Sequence, residues 1–345
     1  MDRVPLKIVT CFTGIGFQEK GLHNTNLFDI DVVNTCEMDS DAIISYAAIH
    51  NGLTQELVDN YKDYPSRDEM AKELADKHIG YDFVKNKEYN WQKLANSKDT
   101  KQRLQKVWLA NKLNKNVGDI SLVEKFPYCD LLTFSFPCCD LSVAGRGAGM
   151  VVGKTRSGLV YEVLRILKNM EEDNNLPTYL IMENVDALVN KKNKPKFEAL
   201  NEEFAELGYE CKWDIINAKN AGVPQNRSRI FAIYWLKDRV DLSGYEFPKP
   251  FDLGIRLKDV LEDEKDVEEK YYIDNPKSRA LIEELVASGK LEDIPSNDLK
   301  CLGNLTPADN DKIHQRNWIY GENGISPTTT ATMYKDPPRV LKNCP

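Results

Sequence analysis

Short apolar runs constrain this chain most. Each ends in a turn bearing glycine, an acid or cysteine, and most are followed by a polar stretch of helical length. Leu6–Phe12 (LKIVTCF) reads as a buried strand that runs into Gly14-Ile15-Gly16 and then a helix through Gly21-Leu22. Asp31–Glu37 (DVVNTCE) is a second strand, followed by a helix from Ser40 to Asn51. This alternation predicts an α/β fold: a parallel sheet with helices on both faces. The rhythm stops between Gly52 and Asn116, where the chain is polar, Lys-rich and helical in character. There Leu104, Val107, Trp108 and Leu113 fall at roughly helical spacing. It resumes with strands at Leu131–Phe134, Tyr179–Met182, Glu210–Ile216 and Ile230–Tyr234, and helices at Gly158–Glu172 and Lys194–Leu207.

A chain of 345 residues is too long for one ordinary core. The expected division is a large domain over 1–240, with a helical insertion at 52–116, and a smaller one over 241–345. The character changes there: Pro248, Pro250 and an acidic helix-rich stretch precede a loop-rich tail. No stretch has the length and apolarity of a membrane span, and the N-terminus lacks the pattern of a signal peptide. The expected location is therefore the cytoplasm, with no membrane partner. Eight scattered cysteines form no CxxC pair, and the four histidines have no zinc-ligand spacing, so neither a disulfide framework nor a metal is expected. The net charge of −8 argues mildly against a nucleic-acid partner, yet Lys85–Asn116 holds nine Lys or Arg against two acids. That stretch is either a solvated face or a lining for a phosphate backbone, with Lys98, Lys101 and Arg103 as the side chains to neutralise.

Four segments carry candidate chemistry. Phe12-Thr13-Gly14-Ile15-Gly16 follows a strand, where glycines allow a tight turn and close approach to a ligand, although a plain strand-to-helix turn has the same pattern. The next strand ends in Glu37, followed by Met38; an acid there can accept from ribose hydroxyls. Gly118-Asp119-Ile120 reads as another strand end, where Asp119 can accept from an adenine amino group. Position 19 is Glu, so the GxGxxG phosphate fingerprint is missing, which favours S-adenosylmethionine over a dinucleotide. Pro137-Cys138-Cys139 lies just past the strand Leu131–Phe134, where open α/β sheets bind ligands; Cys138 is either a buried thiol or a nucleophile. Glu183-Asn184-Val185 follows an apolar strand, and its carboxylate is either a surface group or a partner for a ring nitrogen. In Gln225-Asn-Arg227-Ser-Arg229 alternate residues share one face. Two guanidiniums there suit a phosphate or a polarised carbonyl, or else mark a basic edge strand.

The order of these segments resembles the C5-cytosine DNA methyltransferase family, in its bacterial or phage form. The resemblance rests on FxGxG at Phe12–Gly16, Glu37, GDI at Gly118–Ile120, PC with LS at Pro137–Ser142, ENV at Glu183–Val185 and QxRxR at Gln225–Arg229. Gly222-Val-Pro-Gln-Asn-Arg and Gly324-Ile-Ser-Pro-Thr fit as well. It implies a Rossmann-like S-adenosylmethionine-dependent methyltransferase sheet with a smaller target recognition domain. Phe12, Gly14, Gly16, Glu37, Met38, Asp119, Ile120 and Pro137 are then cofactor-binding. The substrate is a cytosine flipped out of double-stranded DNA. Cys138 attacks carbon 6, Glu183 holds N3, Arg229 binds the carbonyl oxygen and Arg227 supports that cluster. A companion restriction enzyme is in keeping with the family.

Two departures stand out. Cys139 occupies the place of the family's usual Gln. The arginine-containing motif and final helix that follow GISPT in the family are not found before Pro345. The second departure raises the expectation of a partner subunit that supplies them, or of a fragment that binds without catalysing. A third reading is an RNA cytosine methyltransferase acting on transfer RNA; the segment after residue 240 favours DNA.

Overall fold

The computed structural model describes residues 2–82, 87–96, 101–137, 156–272, 275–288, 295–305, 317–329 and 338–342. Cys138, Cys139, Leu141, Ser142 and Lys98 lie outside the described residues, as does the side chain of Lys101.

The apolar runs become strands β1 (Val4–Cys11), β2 (Phe28–Cys36), β5 (Leu131–Phe134), β6 (Tyr179–Val185), β7 (Tyr209–Asn217) and β8 (Ser228–Leu236). They form one sheet in the order β2-β1-β5-β6-β8-β7. The pairs β1–β2, β1–β5 and β5–β6 are parallel, as the alternation with helices requires. Helix α1 (Phe17–Asn24) follows β1 and α2 (Ser40–His50) follows β2. Helix α7 (Val160–Glu172) precedes β6, and α8 (Lys194–Glu206) precedes β7. In α7, Val160, Val163, Leu164, Ile166, Leu167 and Met170 are buried at helical spacing, against the buried β5 and β6 residues Leu132, Phe134, Leu180 and Met182. The carboxylate of Asp39 starts α2 by accepting from Asp41 N at 2.8 Å and Ala42 N at 3.0 Å.

The helical stretch after Gly52 comprises α3 (Gln55–Asn60), α4 (Arg67–Asp76), the short hairpin β3 (Tyr81–Asp82) and β4 (Lys87–Glu88), α5 (Trp91–Ala95) and α6 (Lys101–Leu113). It builds a second apolar cluster with α2, in which Ile43, Met70, Leu74, Trp91, Leu104, Val107 and Trp108 are buried. Both indole N–H groups are satisfied, Trp91 by Ile79 O and Trp108 by Glu73 Oε2, each at 2.6 Å.

The chain divides into two compact units. The first comprises 1–214 and 230–246, the second 215–229 and 247–345, so the division falls within β7 and β8 as well as near residue 246. The insertion belongs to the first unit. The second contains α9 (Pro276–Ala287) and a sheet of β9 (Cys301–Asn304), β10 (Trp318–Gly321) and β11 (Arg339–Leu341) in the order β11-β10-β9. Asn275 caps α9 through Ser278 N at 3.0 Å, with Pro276 in its first turn. No helix among the described residues is long and apolar enough to cross a membrane.

Candidate functional site

The loop after β1 adopts left-handed backbone three times: Phe12 at φ 55°, Gly14 at φ 56° and Gly16 at φ 80°. Thr13 ties the loop to both strands, donating to Thr10 O at 2.9 Å and accepting from Cys36 N at 3.2 Å. A Cβ on Gly14 would meet nothing within 4 Å, so the loop offers an open cradle on that side. A Cβ on Gly16 would stand 2.4 Å from His50 Nε2 and 2.7 Å from the Tyr46 ring, so the loop needs glycine there to lie on α2.

Glu37 follows β2 and reaches back under this loop. Its Oε2 accepts from Gly14 N at 2.8 Å, and its Oε1 accepts from Met38 N at 2.8 Å and Asp39 N at 2.9 Å. A carboxylate offers about four lone-pair positions, so this geometry leaves room for about one further hydroxyl. Burial raises the pKa of Glu37, against the lowering effect of the Asp39, Gly14 and Met38 amides. Asn116, buried, holds the same residue by its backbone, accepting from Glu37 N at 2.9 Å and donating to Glu37 O at 3.0 Å.

Asp119 does not sit at the end of a sheet strand, contrary to expectation. The approach to Asp119 pairs with the sheet as an isolated bridge between Asn116 and Thr35 of β2, and Gly118 then turns at φ 85°. The physical reason is that the amides of Asn114, Lys115 and Asn116 close the end of α6 and that of Asp119 turns to Lys77 O, so the pairing with β2 does not extend beyond one bridge. Asp119 starts a short 3-10 turn over Ile120–Leu122, in which Ile120 is buried. Its Oδ1 accepts from Ser121 N at 2.9 Å, and its Oδ2 lies 3.0 Å from His78 Nδ1.

Ser135, Phe136 and Pro137 follow β5 and lead to Cys138. Each of these three residues is held. Gln18 of α1 donates to Ser135 Oγ at 2.9 Å, Asn184 donates to Phe136 O at 2.9 Å, and Ser157 donates to Pro137 O at 2.7 Å. Glu183, Asn184 and Val185 are the last residues of β6 rather than the turn beyond it. Asn184 is buried, and strand alternation sends partly exposed Glu183 to the opposite face.

In the second unit, Gln225 pairs with Ser326 as an isolated bridge. Asn226 N donates to Ser326 O at 2.8 Å, and Ser326 N donates to Pro224 O at 2.9 Å. Gln225 Nε2 donates to Thr329 Oγ1 at 3.0 Å, and Arg227 Nη1 reaches Thr329 O at 3.4 Å. The QxRxR and GISPT segments, about 100 residues apart, are thus laced together. Arg229 begins β8 with Ser228 and donates to its carbonyl at 2.7 Å.

Sequence reasoning missed Asn116, His78, Gln18 and Asn184 as supports, and the group beneath Gly16. There, buried Glu19 is bonded to the Tyr46 hydroxyl and faces His50 Nδ1 and His23 Nε2 at 3.4 Å each. The only signal for these was polar residues in apolar surroundings. Several cations of the Lys-rich stretch bond to neighbours within the same unit: Arg103 to Ser40 and Asp41, Lys112 to Tyr61, Lys115 to Asp31. Cys11, Cys36 and Cys129 are buried free thiols. Burial raises the pKa of the Cys129 thiol, and that of partly buried Cys211 to about 12.

Residues 83–335 match the family model for C-5 cytosine-specific DNA methylase. Over 273 residues the chain is 38% identical to the type II methyltransferase M2.ScrFI of Lactococcus lactis subsp. cremoris, covering 78% of this chain and 71% of that protein. It is 36% identical over 253 residues to the orphan methyltransferase M.SssI of Spiroplasma monobiae, covering 71% of this chain and 63% of that protein. With the orphan methyltransferase M.SPRI of Bacillus phage SPR it shares 26% identity over 94% of this chain and 64% of that protein. The chain therefore spans from under two thirds to somewhat over two thirds of these relatives' lengths.

Proposed function

The chain belongs to the C-5 cytosine-specific DNA methylase family, and on that premise we propose that it transfers a methyl group from S-adenosylmethionine to carbon 5 of cytosine in DNA. One observation supports this most. The open glycine loop, the Glu37 carboxylate and the anchored approach to Cys138 all lie at the same, C-terminal ends of parallel strands β1, β2 and β5. Ligands bind at such strand ends in open α/β sheets.

The residues divide the work. Phe12, Gly14 and Gly16 shape the cradle, and Glu37 receives a ribose hydroxyl. Met38, Asp119 and Ile120 surround the adenine, and Pro137 closes the pocket next to the nucleophile. S-adenosylmethionine supplies an electrophilic methyl on a sulfonium. Inside the duplex the ring atoms of a stacked cytosine are out of reach, so the base leaves the helix first. The Cys138 thiolate adds to carbon 6, which places negative charge on carbon 5 and the ring. A free thiol of pKa near 8.5 is only about 3% ionised at pH 7, so a nearby cation or dipole must activate it. Glu183 holds N3 in its protonated form and so draws charge from the ring as the thiolate adds. Arg229, supported by Arg227, binds the carbonyl oxygen of the same ring. Carbon 5 takes the methyl as the sulfonium S–CH3 bond breaks and S-adenosylhomocysteine leaves; a solvent base then takes the carbon-5 proton, and that electron pair expels the Cys138 thiolate from carbon 6 and restores the ring. Asn184 and Ser157 hold the two carbonyls that precede Cys138, those of Phe136 and Pro137.

The test is Cys138→Ser. Incorporation of tritiated methyl into duplex DNA should fall to background while folding, followed by circular dichroism, is unchanged. Full incorporation in that variant refutes the reading. Transfer RNA as a parallel substrate shows which nucleic acid is used, and bisulfite sequencing of DNA from expressing cells reads out the site.

A further inference from the structure

His78, in the helical insertion, touches the adenine-side carboxylate of the expected cofactor pocket. The turn that follows α4 meets that pocket at two points. Lys77 O accepts from Asp119 N at 3.0 Å, and a Cβ on Gly118 would stand 2.2 Å from the same oxygen, so the two segments are in close contact. Three residues on, Gly80 N donates to Met38 O at 2.7 Å. A single turn of the insertion therefore fastens two of the three residues expected to surround the nucleobase, Asp119 and Met38.

His78 lies between these points, in left-handed backbone at φ 53°. Its Nδ1 is 3.0 Å from Asp119 Oδ2, with Glu88 Oε1 further off at 3.8 Å. Facing a carboxylate at that distance, Nδ1 carries the proton and donates. Ser121 N already holds the other oxygen. One donor alone lets a carboxyl group pivot about its Cβ–Cγ bond, whereas a donor on each oxygen fixes its plane. The lone pairs left over then point in a set direction, as a planar exocyclic amine requires of its acceptor.

We propose that His78 is a positioning residue for recognition of the adenine amino group: it orients Asp119, and the insertion thereby sets nucleobase specificity. This rests on the reading of Asp119 as the adenine acceptor.

The experiment measures binding of S-adenosylhomocysteine and of its 6-deamino (purine) analogue by calorimetry. His78→Gly keeps the left-handed backbone without strain and removes the donor. It should weaken S-adenosylhomocysteine about tenfold, the size of one charge-assisted hydrogen bond, and leave the analogue nearly unchanged. His78→Asn places an amide nitrogen where Nδ1 stood and tolerates positive φ, so it should restore most of the preference. Equal weakening of both ligands, or of neither, overturns the proposal, as does an Asn variant as poor as the Gly one. Asp119→Ala should abolish the preference altogether. A preference that survives in Asp119→Ala shows that the reading of the adenine pocket itself is at fault. In the wild-type protein bound to S-adenosylhomocysteine, the ¹⁵N resonance of His78 Nδ1 should be that of a protonated nitrogen. A bare Nδ1 overturns the proposal whether or not the variants fold.

Discussion

The two units keep their shape by different means. The first is organised around apolar packing: Phe134 is fully buried, its ring centroid 6.1 Å from that of Phe204, and Phe204 lies 4.9 Å from Tyr234. Among the described residues of the second the buried apolar ones are few, Leu257, Ile319, Tyr320 and Ile325 being the examples. Its described segments are joined by backbone pairs such as Asn226 with Ser326 and Phe251 with Asn220 and by the ion pair Lys219–Asp298, and the ion pair Arg256–Asp252 braces the loop between 252 and 256. Substitutions in the two units should therefore fail in different ways. A lost ring should cost the first unit stability regardless of pH, whereas a lost charge should show in the second as a change of pH dependence.

The largest effect expected is that of Phe134→Ala. The truncation leaves a ring-sized cavity against Phe204 at the centre of the sheet, costing about 3–5 kcal/mol. Urea unfolding read by tryptophan fluorescence should show a lower midpoint with an unchanged slope. A loss below about 1 kcal/mol would mean that this core is not close-packed.

Asn184→Ala is next and probes polar support within the same apolar unit. It strips the buried Phe136 carbonyl of a partner, at a cost of about 1–3 kcal/mol. Because that carbonyl precedes Cys138 by two residues, methyl transfer should fall more than S-adenosylhomocysteine affinity does. An equal fall in both would assign Asn184 a purely structural role.

This division also explains what could be read in advance. Strand β5 and the second half of β1 announce themselves as short apolar runs because they are buried on both sides, and helices α2, α7 and α8 because burial on one side imposes a period on the residues. Leu131–Phe134 matches its strand residue for residue, and Lys194 begins α8 as the periodicity expects. Phe12–Gly16 and Glu37 were legible because a loop at a strand end needs glycine and an acid of recognisable kind. Asp119 lies in a turn and not at the strand end expected of it: its position depends on Asn116 bonding across to Glu37 and on the turn at Lys77, both long-range hydrogen bonds without periodicity. His78 and Asn184 escaped for the same reason, since a lone polar residue in the sequence does not reveal the acceptor it meets. In the second unit, alternation placed Gln225 and Arg227 on one face. Nothing local showed that Thr329 would be the group they share.

The smallest effect expected lies at Asp252. Arg256 is almost fully buried and donates to both oxygens of Asp252, at 2.9 and 2.7 Å, and Gly254 N adds a third bond at 2.8 Å. The Arg256 guanidinium chiefly, and then that amide, lower the Asp252 pKa to about 2 from its ordinary 3.8. A carboxyl whose pKa is depressed on folding contributes stability that is complete above the unfolded value and lost as pH falls through the folded one. The wild-type second unit should therefore lose stability between about pH 4 and pH 2. Asp252→Asn should lower Tm modestly at pH 7 and flatten the dependence across that window. Trp318 is the sole tryptophan of the second unit, so its emission, isolated by replacing the other four with Phe, reports that unit. Asp252 is partly exposed, so added salt should shrink the difference without abolishing it. Parallel curves for the two proteins from pH 4 to pH 2 would show that the ion pair does not set the unit's stability. The contrast between an apolar first unit and a charge-tied second would then fail at its most exposed point.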